Sequence, residues 1–466
     1  MAWLSHHRAF CPGATEFIDP TAMRQEEPRR HGMKTIKEGK RDVMNGRYIA
    51  AFSLTMLLGG TGLAEAETSK AAVLDTYANI AEAKYEDSLT SAKTLQDSIN
   101  ALIETPSAQA LQAAKEAWLM SRVPYQQTEV YRFGNAIVDD WEGKVNAWPL
   151  DEGLIDYVDT GYGGPTDENE YAALNVIATP KFTLSGTEID ATEITPTLLA
   201  ETLHEADGIE ANVATGYHAI EFLLWGQDLH GHDHGAGERP WTDYAKGDAC
   251  TGGNCDRRAA YLKAATELLV SDLEWMAAQW GEEGDARKTL MDNEPAGIIA
   301  IVTGMGSLSY GEQAGERMRL GLMLNDPEEE HDCFSDNTHN SHYYDGLGIQ
   351  SAYLGDYVRI DGSVVSGPSL SDLVAASDSD LDAEMKQKLS TTMMKLGRIK
   401  SSAEAGFSYD QMLERGNEGG EALIMGGVNA LIDQTKSIER VAAALQLDTI
   451  KFEGSDSLDN PNAVFE

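Results

Sequence analysis

The run GYHAIEFLLWGQD, residues 216–228, places an imidazole and a carboxylate three positions apart, His218 and Glu221, among the apolar residues Ala219, Ile220, Phe222, Leu223 and Trp225. On a helix, i and i+3 share one face, so the two groups can grip one ion together. Each is costly to bury alone, and a core histidine hydrogen-bonded to the carboxylate is the alternative. Gly216, with no side chain, lets a neighbouring backbone or a ligand come close.

Three further stretches carry chemistry. AWLMSRVPYQQTEVYRFG sets Arg122 near a helix end that Pro124 is expected to break, with Glu129 just beyond. The two either pair or face a ligand. GMGSLSYGEQAGERM puts Ser309, Glu312 and Glu316 on one helical face by i+3 and i+4 spacing, and Gly304, Gly306, Gly311 and Gly315 thin another side for close packing. DPEEEHDCFSDNTHNSHYYD gathers Glu328, Glu329, Glu330, His331, Asp336, His339 and His342. Oxygen and imidazole donors together suit iron, manganese or zinc better than calcium, and a solvated acidic loop is the alternative. The HGHDHG run, His230 to Gly235, either chelates a metal in a flexible loop or is adventitious. The two-histidine helix signatures of zinc proteases, H-E-x-x-H and H-x-x-E-H, do not occur.

The groups that could share one ligand, a transition metal such as iron or zinc included, are His218, Glu221, Glu129 and Glu312, with Ser309, Glu316, Asp336 and His339 as further site candidates. If the metal served hydrolysis, it would activate a water for attack on a peptide carbonyl, with Glu221, Glu129 and Arg122 as the catalytic residues.

Helices must position these groups. The sequence shows almost no sustained period-two alternation, and helical patterns are expected at 74–103, 107–122, 197–225, 257–280, 296–324, 381–402 and 420–445. The fold class is all-α, with two halves resembling four-helix bundles joined by long loops. The Gly- and Pro-containing section 226–253 is the expected boundary, giving an N-terminal bundle at 67–240, a C-terminal bundle at 241–450 and a tail at 451–466. The stretches 159–171 and 354–370 have loop composition.

Residues 1–66 read as an N-terminal extension plus signal peptide. A basic flank precedes an apolar stretch from about Tyr48 to Leu63, and Ala64 and Ala66 form an A-x-A site, so cleavage is expected after Ala66 and the start of translation at Met33 or Met44. No later run reaches the length of a membrane span, so the mature chain is expected to be exported, to the periplasm or cell surface. It carries 27 Lys+Arg against 69 Asp+Glu, a net charge of −42 against −40 for the whole chain. That field excludes nucleic acid as a partner and suits metal ions or small cationic ligands, although a saline habitat selects the same surface. Of the cysteines left after cleavage, Cys250 and Cys255 close a tight loop and are expected to form a disulfide, with Cys333 unpaired.

These residues resemble the imelysin family. GYHAIEFLLWG matches its G-x-H-x-x-E signature, and GSLSYGEQAGERM, EEEHDCFSDNTH, EADGIEAN and RPWTDY match further blocks, covering roughly residues 72–445. The resemblance implies an exported helical protein of two bundle-like halves linked to iron acquisition, with His218 and Glu221 as metal ligands and a membrane-bound iron-uptake component as partner. It also admits a metallopeptidase, since founding members of the family were described so. An interaction module without metal, in which the polar pairs only fix bundle register, is the third alternative.

Overall fold

Two serines start the first two helices. Ser69 Oγ accepts from Ala72 N–H and Ser107 Oγ from Ala110 N–H, satisfying donors that a helix start leaves free, and α1 (Lys70–Glu104) and α2 (Ala108–Gln126) follow. The structure, a computed structural model, describes residues 68–447 and 450–465; the leader and its cleavage site lie outside the described residues. The chain continues through α3 (Ala136–Asn146), α4 (Gly216–Trp225), α5 (Cys255–Trp280), α6 (Glu294–Ser307), α7 (Thr338–Leu354), α8 (Ser379–Glu404) and α9 (Glu418–Ala444). The fold is mostly α. Two small antiparallel hairpins, β1–β2 (Lys181–Leu184 with Thr187–Asp190) and β3–β4 (Asp356–Val358 with Val364–Ser366), decorate it, the second within a stretch expected to be loop.

α1 packs on α2 and α5, with α4 laid against α2, α3 and α5; α9 packs on α6 and α8, with α7 against α8. The two groups meet where α7 touches α2 and where α6 touches α1. α5, although it follows the 226–253 section, thus belongs with α1. That section is pinned down: Arg239 and Arg258 both bond the buried Asp156, and the Cys250–Cys255 disulfide closes its end. Cys333 is the free, buried cysteine.

Two local expectations are corrected, and two features fall outside them. The pattern at 197–225 is not one helix: Glu205 and Asp207 adopt positive φ, the chain turns at Gly208, and α4 begins only at Gly216. Pro124 sits inside α2, which ends two residues later at Gln126, so the ring removes little of the helical bonding while Pro124, Tyr125 and Gln126 are all buried. The segment 338–354, with loop-like composition at its start, is the buried helix α7. Finally, α6 continues into a π-helix, Leu308–Arg319, where residues five apart rather than four come into line.

The glycines of that long element serve packing. A Cβ at Gly304 would lie 2.1 Å from Val130 O, at Gly306 2.3 Å from the Phe452 ring and at Gly311 2.6 Å from Glu453 O.

Candidate metal centre

α4 is held tightly at its start. Gly216 has φ +81°, and a Cβ there would stand 2.5 Å from Val145 O, so only glycine lets α4 lie against the end of α3. One turn on, His218 and Glu221 are 1% and 0% exposed, and His218 Nδ1 lies 3.0 Å from Glu221 Oε2. The other carboxylate oxygen, Oε1, accepts from Ser335 N–H at 3.0 Å and Ser335 Oγ–H at 2.6 Å. Both oxygens of Glu221 are thereby engaged. His218 Nε2 is buried and has no hydrogen-bond partner.

Facing it are His331 and Asp332. The two imidazole centroids stand 4.9 Å apart, and ligand atoms of His218, His331 and Asp332 lie within 4.8 Å of one another, all in buried residues. Asp332 is fixed by Arg122 Nη2 at 2.7 Å and by Asn337 Nδ2 at 2.7 Å. Arg122 completes its fork on Asn146 Oδ1 at 2.6 Å and lies over the Tyr217 ring. His331 Nδ1 is 2.7 Å from Ser341 Oγ, which also takes Gln126.

Arg317 anchors a neighbouring network. Its guanidinium meets Glu129 at 2.7 Å, Asp345 at 3.1 Å and Glu312 at 2.8 Å. The Glu312 contact spans five residues and follows from the π-helical pitch. His342 is buried beside the Tyr409 ring with both ring nitrogens unpartnered.

Burial dominates the electrostatics. It pushes the His218 imidazole well below its ordinary value, helped by Arg122 and Arg317, and does the same to His331, where Arg317, His218 and Arg122 add. His342 is pushed down to about 3, again by burial and then Arg317. All three imidazoles are thus neutral, the form that ligates a metal. Burial and the neighbouring Asp332 raise Glu221, against the pull of Ser335 and Arg122. Arg122 has Asp332 and Arg317 has Glu129, Glu312 and Asp345, whereas Glu221 has no arginine bond. A cation at Nε2 of His218 would supply the missing charge, and the donor set of two imidazoles and a carboxylate suits a transition metal.

The structure brings His218, Glu221 and Arg122 together, with Glu129 and Glu312 one salt bridge away on Arg317, whose charge His218 and His331 both feel. Ser309 is elsewhere: its hydroxyl donates to Met305 O at 2.6 Å and accepts from Gln434 at 2.8 Å. Glu316 faces Ser455, and His339 lies beside Asn340 and Lys400. Asp336 joins a separate acidic group with Asp228 and Asp410. Sequence reasoning missed Asp332, Arg317 and Asp345. A signal existed for Arg317, a guanidinium in a glycine-thinned apolar helix that has to find acids when buried.

A family model described as imelysin matches residues 81–438, most of the chain. Iron-regulated protein A of Synechococcus elongatus is 29% identical over 98 residues, 21% of this chain and 26% of that protein, so the match spans about a quarter of that relative's length. Two solved structures share the fold. One, assigned as an iron-regulated protein A precursor from Parabacteroides distasonis, superposes with a TM-score of 0.59 at 19% identity, covering 83% of this chain and 97% of that one. The other, an imelysin-like protein from Psychrobacter arcticum, gives 0.50 at 15% identity, covering 82% and 97%.

Proposed function

The chain belongs to the imelysin family, and from that premise we propose that it is an exported protein that holds a transition-metal ion as cargo, iron first and zinc as the alternative, in metal acquisition. The observation that carries this is the buried, partnerless Nε2 of His218, in a residue with a ring nitrogen within 4.8 Å of ligand atoms of His331 and Asp332. In this reading His218, His331 and Asp332 hold the ion. Glu221 orients His218 through Nδ1, and Ser335 orients Glu221, the outer support that metal-binding histidines require. Arg122 holds Asp332 in place through its guanidinium.

The name of the Synechococcus relative supports iron over zinc. The A-x-A pattern at 64–66 supports export to the periplasm or cell surface, and a membrane-bound uptake component is the receiving partner proposed. Peptide hydrolysis is not the function proposed. The acids that would act as general base are committed elsewhere, Glu221 to His218 and Ser335 and Glu129 and Glu312 to Arg317.

Metal analysis of the mature protein purified without a His-tag tests this. Iron or zinc should co-purify with the wild type and be lost from His218→Ala, with no cleavage of casein or insulin chains above background. Equal metal in both proteins would overturn the proposal, as would chelator-sensitive cleavage abolished by Glu221→Gln.

A further inference from the structure

The His-rich run left unused by the metal centre lies against a second set of acids. Asp228 follows α4, Asp336 precedes α7 and Asp410 sits in the short helix Tyr409–Leu413, and one oxygen of each lies within 4.8 Å of the others. Asp336 takes a left-handed backbone, φ +55°, as the chain turns into the group. Glu330, 1% exposed, lies against Asp410 and Thr338, yet neither of its oxygens is in a hydrogen bond of good geometry. Asp410 Oδ2 is likewise buried and unpartnered.

Part of the HGHDHG run lies against these acids. His230 N–H donates to Asp228 Oδ1 at 2.8 Å, the Gly235 N–H serves the Asp336 carboxylate, and Gly237 N–H reaches Phe334 O at 2.9 Å. The His230 ring rests on Gly235, where a Cβ would come within 3.0 Å of Nε2. The charges felt by the four acids come from one another, from Glu328 and Glu238 and from His230 and His234; among the described residues no lysine or arginine balances them. Burial and mutual repulsion accordingly raise all four, Asp228 to about 7 and Asp410 to about 8. Buried carboxylates without a positive partner are costly, and the cheapest remedy is a cation.

We propose that Asp228, Asp336 and Asp410, backed by Glu330, form a second cation site for a divalent first-row ion such as Mn²⁺ or Fe²⁺. Oxygen donors from three chain segments select a hard divalent ion, and the His230 imidazole packed on Gly235 beside them favours manganese or iron over calcium. The site does not depend on the His218 centre, although both draw on the segment 330–336.

The experiment is a titration of the metal-stripped mature chain with Mn²⁺ alone, bound ion being counted by electron paramagnetic resonance. Wild type should bind two ions, His218→Ala one, and the Asp336→Asn/Asp410→Asn double variant one. A double variant that keeps the wild-type count and affinity overturns the second site and leaves chelation by the histidine loop alone as the explanation of the second ion. If wild type binds one ion, its loss in the double variant supports the second site and counts against the His218 centre, while its loss only in His218→Ala does the reverse. Should the double variant not fold, Asp228→Asn, at a half-buried position, takes its place: weakening of one of the two ions by about tenfold or more supports the site, and unchanged binding of both overturns it.

Discussion

The His218 centre and the Asp228 pocket stand a few residues apart along the chain and solve burial of charge in opposite ways. At the first, arginines from α2 and the π-helix neutralise Asp332, Glu129, Glu312 and Asp345, and only Glu221 is left to a histidine and a serine. At the second, four acids crowd together with no arginine or lysine among the described residues to balance them. The first is a charge-paired frame that leaves the His218 Nε2 without a partner; the second is a charge imbalance that a cation would offset.

The largest expected effect separates them by stability. Asp332→Ala leaves Arg122 buried and unpaired and should cost about 3–5 kcal/mol, read by denaturant unfolding. Asp410→Asn removes one of the mutually repelling carboxyls and should leave metal-free protein as stable or more so. Similar losses in both would break the contrast. Gly216→Ala should come next, at about 1–3 kcal/mol, because an L side chain at φ +81° is strained and has Val145 O in its way.

pH should divide the two regions by sign. His218, His331 and His342 are held neutral, so their folded pKa values lie below the unfolded one near 6.5. Their contribution is present above that pH and is lost as pH falls. Burial raises Asp228 and Asp410, with Asp336, Glu328 and Glu238 adding repulsion, a hydrogen bond with Glu330 lowering Asp410, and His230 and His234 opposing the repulsion around Asp228 and Asp336. The folded state therefore keeps protons that the unfolded chain gives up near pH 4, and this stability is lost as pH rises through about 7 to 8. In chelator, the melting temperature should fall on both sides of a maximum, and Asp410→Asn should flatten only the alkaline side. A profile unchanged by that substitution would count against the pocket's charge deficit. The smallest effect is Ser335→Ala, which removes the hydroxyl bond to Glu221 and should cost about 1 kcal/mol while weakening the metal held through His218.

How far the sequence reveals this depends on whether a group's partners are close in the chain. His218 and Glu221 are legible because i and i+3 spacing in an apolar run implies a shared face, and the structure keeps that pair. Arg122 is legible as a buried charge, but its partner Asp332 is 210 residues away and sits in a run whose acidity hides which carboxylate turns inward. The helical fold is readable from apolar periodicity. The π-helical pitch is not, since Leu308–Arg319 carries the same residue types as an ordinary helix, and it is this pitch that places Glu312 beside Arg317. Loop composition likewise concealed α7, whose buried polar residues Ser341 and Asp345 find tertiary partners in Gln126, His331 and Arg317 and not in a local pattern.

The central claim, that His218 Nε2 is the open position of a metal site, is tested most directly by crystals of metal-stripped protein soaked anaerobically with Fe²⁺ and measured at the iron absorption edge. An anomalous peak bounded by His218, His331 and Asp332, missing in His218→Ala, is the expected result. A map with no peak there, whether or not iron occupies the Asp228 pocket, would contradict it.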